Sequence, residues 1–462
     1  MNPEVLKPLC IVYSPGIKAT KHVSYAAQKA LATTVPRPVL DALDTTRAKL
    51  LCECRDFAKT AQYQWEQEKA RFELDAYMTN ATQYLALLQG FVNLLNAKSD
   101  GASDPSDDVT DASLPAKPAA APSVPASFAF CEWLDVAAKT SVHSLNAYHE
   151  VAHASYAVGC VLLMRAGELA KVMLASRDFE HDEPKLKEAY QILLRAAGLF
   201  DAILGFLGLG RQVQATGTDE AAMAAWRAEQ AQADTASANA PGLNRVKDFE
   251  GGAGLTALRA IALAQAQELV VLRGVTRESV DNVLMGKLCA DIAQRYKDTL
   301  AALPTTHTQL RGWCDFKCIY YTALSPYYQG VAEWLKKDGP GCVQAIAQFQ
   351  LAKEHLARLQ TYAAETKRSR EIIQRDLDIA AARNSSVYFE TIPPPLEPLP
   401  PTSLVQPQAF SFPTADTLWK EPLPPKASAA PAAAKGATEA EVAARGSPEM
   451  KQPDPGCACT IM

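Results

Sequence analysis

The stretch Leu255-Thr-Ala-Leu-Arg-Ala-Ile-Ala-Leu-Ala-Gln-Ala-Gln-Glu268 decides the fold. Its apolar residues recur at helical spacing, and a stacked helix of this kind buries its main face in a core. Leu258 and Ile261, three apart, form one stripe along it. The same periodicity governs most of the chain. From Thr45 to Asn96 there is no Pro and a single Gly, Gly90, so the pattern predicts one very long helix or two stacked ones. Helical patterns resume at Phe128 and continue past Arg383. Breaks are expected near Asp182-Glu183-Pro184, Leu303-Pro304, Ser325-Pro326 and Asp338-Gly339-Pro340-Gly341. Only Leu9–Tyr13 and Ile17–Tyr25 are β-prone, and Ser14-Pro15-Gly16 between them is a turn signal. The expectation is a mainly all-α chain with a small N-terminal β-hairpin.

The 462 residues are 48% hydrophobic and 21% charged, so most of them should fold, and the length exceeds one ordinary compact core. A net charge of −5 gives nucleic acid no electrostatic footing. No continuous apolar run is expected to cross a membrane, since Val158–Met164 is stopped by Arg165. The first residues, MNPEVLKPLCIVYSPG, show no basic region leading into a long apolar one, so no secretory signal is expected. The 11 cysteines are scattered. Their close internal pairs, Cys52 with Cys54 and Cys314 with Cys318, lack the spacing of a zinc site. Free thiols in a reducing, cytoplasmic compartment follow, with no cofactor.

Three segments depart from the helical pattern. Residues 98–127 are Ser, Asp, Pro and Ala, and read as a disordered insertion. Residues 212–243 are an Ala- and Gln-rich excursion. Residues 393–456 open with PPPLEPLPP and read as a Pro/Ala-rich disordered tail, extended and polyproline-like. Such a segment could also serve SH3- or WW-type partner domains as a scaffold.

Tyr148-His149-Glu150-Val151-Ala152-His153 contains H-E-x-x-H in a helical context. His149 and His153 project from one helix face and can bind zinc, while Glu150 can act on the bound water, which defines a zinc metallopeptidase alternative. Against it, no third ligand follows at a recognised spacing, and the flanking Leu145, Tyr148, Ala152, Tyr156 and Leu163 read as a packed face. Cys459-Thr460-Ile461-Met462 fits the C-a-a-X pattern, with Met favouring a farnesyl group on Cys459. One lipid chain binds membranes only marginally, and the usual polybasic run is missing, so Cys457 is the candidate for a second, palmitoyl attachment.

Several pieces resemble the BRO-one domain family, the Alix, rhophilin and BROX group. Leu255–Glu268 is similar to its L-x-L-A-Q-A-Q-E helix, and Lys287-Leu-Cys-Ala-Asp-Ile-Ala-Gln-Arg-Tyr-Lys297 to the helix after it. Trp313 and Lys317, then Ala323, Tyr327 and Tyr328, resemble its W-x-x-x-K…A-x-x-Y helix. Ala345-Ile-Ala-Gln-Phe-Gln-Leu-Ala352, Asn384-Ser-Ser-Val-Tyr-Phe-Glu-Thr-Ile-Pro393 and Arg195-Ala-Ala-Gly-Leu-Phe200 match further signatures. A single such domain with a short tail and a C-a-a-X end resembles the BROX arrangement. The resemblance implies a curved, boomerang-like helical domain over 1–392 with a tetratricopeptide-like core, a tail over 393–456 and a lipidation motif at 457–462. It implies binding rather than catalysis: a groove for the amphipathic C-terminal helix of an ESCRT-III subunit (a charged multivesicular body protein). Leu258, Ile261 and Phe349 would line that groove, Ile261 matching the family's binding-surface isoleucine. Peripheral attachment to an endosomal or nuclear-envelope membrane through the farnesyl group is implied as well. The chain departs from the family at Ala152-His153-Ala154-Ser155, where larger aliphatics are usual.

Overall fold

The computed structural model describes residues 6–32, 34–62, 72–100, 131–144, 146–175, 178–209 and 243–420. The chain divides into two units, Met1–Leu423 and Pro424–Met462, of which the second lies outside the described residues. So do nearly all of the expected insertion at 98–127, all but Leu243 of the excursion at 212–243, and the lipidation motif.

Ten α-helices occur among the described residues: α1 (Lys29–Ala32), α2 (Arg37–Gln62), α3 (Leu74–Asp100), α4 (Ala147–Ala175), α5 (Phe179–Phe206), α6 (Ala253–Val275), α7 (Asn282–Ala302), α8 (Thr308–Trp334), α9 (Gly339–Ala357) and α10 (Ala363–Arg383). The mainly all-α expectation holds. Neighbours in sequence pack on one another from α2 to α10, which is the pattern of stacked helical hairpins. Asp178, Asp281 and Asp338 cap α5, α7 and α9 by accepting backbone N–H groups of the first turn. The 45–96 stretch is two helices, α2 and α3.

Two expected breaks are real: Leu303 ends α7, and Asp338 separates α8 from α9. The other two are not. Pro184 lies within α5, near its start, and Pro326 lies inside α8. A helical proline forfeits one backbone hydrogen bond. At Pro326 the helix is fully packed, and the adjacent Ser325 hydroxyl donates to the Gly286 carbonyl of α7 at 2.9 Å, so packing outweighs the local penalty.

The β-hairpin also has different residues from those expected. It is β1 (Glu132–Asp135) paired antiparallel with β2 (Thr140–His143). The N-terminal segment does not pair with itself. It lies along β1 instead, with a bridge between Thr20 and Trp133 and a hydrogen bond from Leu134 N–H to the Ala19 carbonyl. Its own turn signal loses to a better partner that sequence proximity hides.

Helix α6 explains the architecture. Leu255, Leu258, Leu263, Leu269 and Leu272 belong to one hydrophobic core, with α3, α4 and α5. Ala257, Ile261, Ala264, Val271 and Val275 belong to a second, with α7 to α10. A helix apolar on all sides is one buried on all sides. By length and composition α5 and the segment Glu250–Val275 could span a membrane, contrary to the sequence expectation. Most of each apolar window, 61% and 78%, is buried in the domain, where these are central core helices.

The polar end of α6 is buried too. The Glu268 carboxylate accepts from the Tyr296 hydroxyl of α7 at 2.8 Å and from Lys317 Nζ of α8 at 2.6 Å. Lys317 and Glu268 are closed to solvent. Gln267 donates to the Asp291 carboxylate at 2.7 Å and to the Thr402 carbonyl at 3.1 Å, and accepts from Leu404 N–H at 2.9 Å.

Those last contacts overturn the expected tail. From residue 392 to 416 the chain runs extended over the domain as a strap, closed by a single 3-10 turn at Thr417–Lys420. Along its start Pro393, Leu396, Leu399 and Thr402 are half-buried while most residues between them are exposed, and a repeat of three is that of a polyproline helix. PPPLEPLPP therefore uses one face on its own domain, which withdraws that face from an SH3- or WW-type partner. The domain reaches to Lys420 rather than ending at 392. Composition misled here because the partners that bury this segment are distant helices.

Lys317→Met would strand the Glu268 carboxylate and should lower unfolding free energy by about 3–5 kcal/mol, read from urea titration. Adding Glu268→Gln to it should restore much of the loss.

Candidate interaction surface

The expected groove residues are placed plainly: Leu258 is 2% exposed, Ile261 0% and Phe349 2%. Leu258 and Ile261 are not one stripe, since they face the two different cores. Phe349 packs against Tyr327 and closes on Gly330, where a side chain would meet its ring. None of the three can meet a partner in the folded chain. The helical spacing was right, but a two-faced helix has no free face to offer.

The H-E-x-x-H residues are equally internal. Glu150 accepts from the Tyr84 hydroxyl, the Trp133 indole N–H and the Ser144 hydroxyl, at 2.7, 2.7 and 2.9 Å. Arg47 stands 3.5 Å from it. The carboxylate holds the hairpin, α2, α3 and α4 together, and both its oxygens are engaged. His153 stacks on Trp133, with ring centres 5.8 Å apart, and meets Phe249 edge-on at 5.0 Å. Neither of its nitrogens has a hydrogen-bond partner. Burial, with Lys18 and His149 nearby, holds its pKa well below the ordinary histidine range. Among the described residues no His, Cys, Asp or Glu group is arranged to hold a metal ion. The motif is a core device: a clamp at Glu150 and an aromatic spacer at His153. Beside it, Lys18 is ion-paired with Asp248, which also accepts from the backbone N–H groups of Val136 and Ala137.

What the structure offers instead is the strap. Three helical glycines seat it. A side chain at Gly286 of α7 would overlap Leu399, one at Gly198 of α5 the Gln408 carbonyl, and one at Gly90 of α3 the Trp419 indole. Backbone bonds join Thr402 N–H to the Lys287 carbonyl and Gln408 N–H to the Leu194 carbonyl, at 3.3 and 3.1 Å. The Trp419 indole N–H donates to the Leu87 carbonyl at 2.9 Å, and the ring stands edge-on to Phe91. Between α3, α5 and the strap's second half lies a cleft of about 810 Å³, lined by Thr82, Ala86, Leu162, Leu199, Phe410 and others.

The strap's path across α6 and α7 fixes Leu404. Gln267 holds its N–H, and Arg295 donates to the neighbouring Ser403 hydroxyl at 2.8 Å. The Leu404 side chain stays 52% exposed, and Val283 on α7 is 41% exposed. Apolar side chains presented on a fixed backbone are what a helix-in-groove contact requires. Sequence reading missed both. The one signal available was glycine: Gly90 stands alone in its helical stretch, and Gly198 is the glycine of the Arg195–Phe200 motif. The cysteines proposed for lipidation, Cys457 and Cys459, lie outside the described residues.

Comparison with known proteins agrees with this geometry. The profile described as BRO1-like domain matches residues 124–427. No curated protein matches by sequence. Solved structures do match by shape. The structure titled "ALIX BRO1 CHMP4C complex" superposes with a TM-score of 0.53 at 16% identity, over 88% of this chain and 99% of that one. ALIX in complex with the SIVmac239 PYKEVTEDL late domain gives 0.54 at 16%, over 88% and 50%. "Structure basis for endosomal targeting by the Bro1 domain" gives 0.52 at 12%, over 87% and 94%. At these identities the likeness is one of fold.

His153 makes stability pH-dependent with a definite sign. The folded chain keeps it neutral, whereas the unfolded chain takes up a proton below about pH 6.5. Its contribution is present above that value and is lost as pH falls, by about 1.4 kcal/mol per unit for one proton. Urea midpoints between pH 7.5 and 5 should fall less steeply for His153→Leu than for the wild type.

Proposed function

The chain belongs to the BRO1-like domain family, and on that premise we propose that it is an adaptor that binds an ESCRT-III subunit and carries out no catalysis of its own. The observation that carries the reading is the family match across 124–427, joined to the fold likeness with the ALIX domain solved with CHMP4C. The partner element is an amphipathic C-terminal helix of a charged multivesicular body protein. Its docking surface is where the strap crosses α6 and α7, with Leu404 as the exposed apolar contact.

Membrane attachment comes from the other end of the sequence. Cys459-Thr460-Ile461-Met462 supports a farnesyl group on Cys459, as in the BROX branch of the family, with Cys457 as an optional acylation site. A single prenyl chain holds a membrane weakly and reversibly. The ESCRT-III contact then supplies the second attachment, and the adaptor resides on an endosomal or nuclear-envelope surface only where that subunit is assembled.

Two variants separate surface from core. Leu404→Asp should reduce affinity for a CHMP4C C-terminal helical peptide by about tenfold or more, measured by calorimetry, with an unchanged melting temperature. Ile261→Asp should unfold the domain, because it puts a charge into a closed core. Unchanged affinity in folded Leu404→Asp would remove this surface from the reading. Independently, Cys459→Ser should shift the protein from the membrane to the soluble fraction of cells. Identical fractionation of the two forms would remove the lipid anchor.

A further inference from the structure

Helix α10 ends in a single wide turn, Asn384–Tyr388, and the chain then enters Phe389 with φ 55° and ψ 32°. A bulky residue in the left-handed region carries strain. Burial does not repay it, because Phe389 is 76% exposed. Val387 beside it is 57% exposed, and Leu335, next to Trp334 at the end of α8, is 48% exposed. Folding gives no reason to keep such a group of side chains in water.

Arg383 lies between two of the rings here. Its guanidinium carbon is 5.6 Å from the ring centre of Trp334 and 5.6 Å from that of Tyr388. Tyr388 is itself fixed, since its hydroxyl donates to the Lys337 carbonyl at 3.1 Å. No carboxylate among the described residues pairs with Arg383. Two of the nearby acids, Asp338 and Glu333, are engaged elsewhere. Asp338 accepts from Gly341 N–H at 2.7 Å as the cap of α9. Glu333 pairs with Lys336 at 2.7 Å, and the Glu390 carboxylate lies over Gly339 in the first turn of α9. A guanidinium positioned by aromatic rings keeps its N–H groups for a planar, two-oxygen acceptor. Trp334 and Tyr388 hold it there through their faces. The positive charge without an internal partner, with Lys337 adjacent, selects an acidic occupant.

We propose that this surface docks an acidic segment of a partner protein, with a Glu or Asp carboxylate on Arg383 and an apolar neighbour against Phe389. It is built from α8, α9 and α10, whereas the strap surface is built on α6 and α7, so the two can be occupied independently.

The test uses the purified full chain and a fluorescein-labelled peptide, Ala-Leu-Glu-Glu-Phe-Ala-amide, followed by anisotropy. Replacing both glutamates of the peptide by glutamine, or Arg383→Gln in the protein, should each weaken binding about tenfold or more. Arg383→Lys should fall between, because it keeps the charge and loses the fork. Phe389→Ser should weaken both peptides alike. Equal binding of the Glu and Gln peptides, unchanged binding by Arg383→Gln, or no measurable binding of the Glu peptide would each overturn the proposal. Photo-crosslinking from benzoylphenylalanine in place of Phe389 covers the remaining occupants. A crosslink to residues 421–462 of the same chain, or between two copies, would assign the surface to the protein itself and overturn the partner.

Discussion

A helix with no free face is the constraint on which the rest of this structure depends. Helix α6 lies between two hydrophobic cores, so neither core is complete without it and neither can shift independently of it. Its polar residues have no water to turn to and must be satisfied inside. Glu268 meets that demand by joining α6 to α7 through Tyr296 and to α8 through Lys317. The same residue's carbonyl accepts from the Cys10 thiol at 3.4 Å, which brings in the N-terminal segment. A buried ion pair adds little net stability over an apolar substitute, but losing one partner is costly. The pair therefore acts mainly to fix which helices meet and in what register.

Gln267, one residue earlier, is equally buried but turns toward the strap and sets its position. Its side chain is shared between Asp291 of α7 and the strap, donating and accepting at once. Where the strap is pinned, Leu404 is held in the open. Core and proposed interaction surface thus derive from adjacent residues of one helix, Glu268 turned to a lysine and Gln267 toward the main chain of the strap. This is why an apolar residue of α6 is a poor choice for a contact with a partner and an apolar residue of the strap is a good one.

The helices were legible in the sequence because a period near 3.6 persists through α2 to α10, and the family resemblance was legible because its pieces keep their order. Other features depend on contacts that no local pattern encodes. Leu258 and Ile261 share helical spacing, but only the stacking of α5 on one side and α7 on the other shows that they point into different cores. PPPLEPLPP has the composition of a spacer, and only Gly286, over a hundred residues earlier, shows that it has a seat. His149, Glu150 and His153 have the spacing of a zinc site, yet Tyr84, Trp133 and Arg47 claim the carboxylate from three separate elements. Pro326 punctuates the sequence without interrupting α8. Motif spacing specifies where side chains leave a helix; it does not specify what they meet.

The strap and the N-terminal segment also fix the order in which a newly made chain can close. Trp419 meets Leu87 across 332 positions, and the Leu6 amide meets the Tyr327 hydroxyl across 321. The contact between Leu404 and Gln267 spans 137 positions, which at ribosomal rates is on the order of ten seconds of synthesis. Through that interval the glycine notches on α3, α5 and α7 stand open, and α6 waits for the second of its two cores. The nascent chain therefore displays apolar surface that the finished protein never shows, and its N-terminal segment and strap close last, over helices that are already in place.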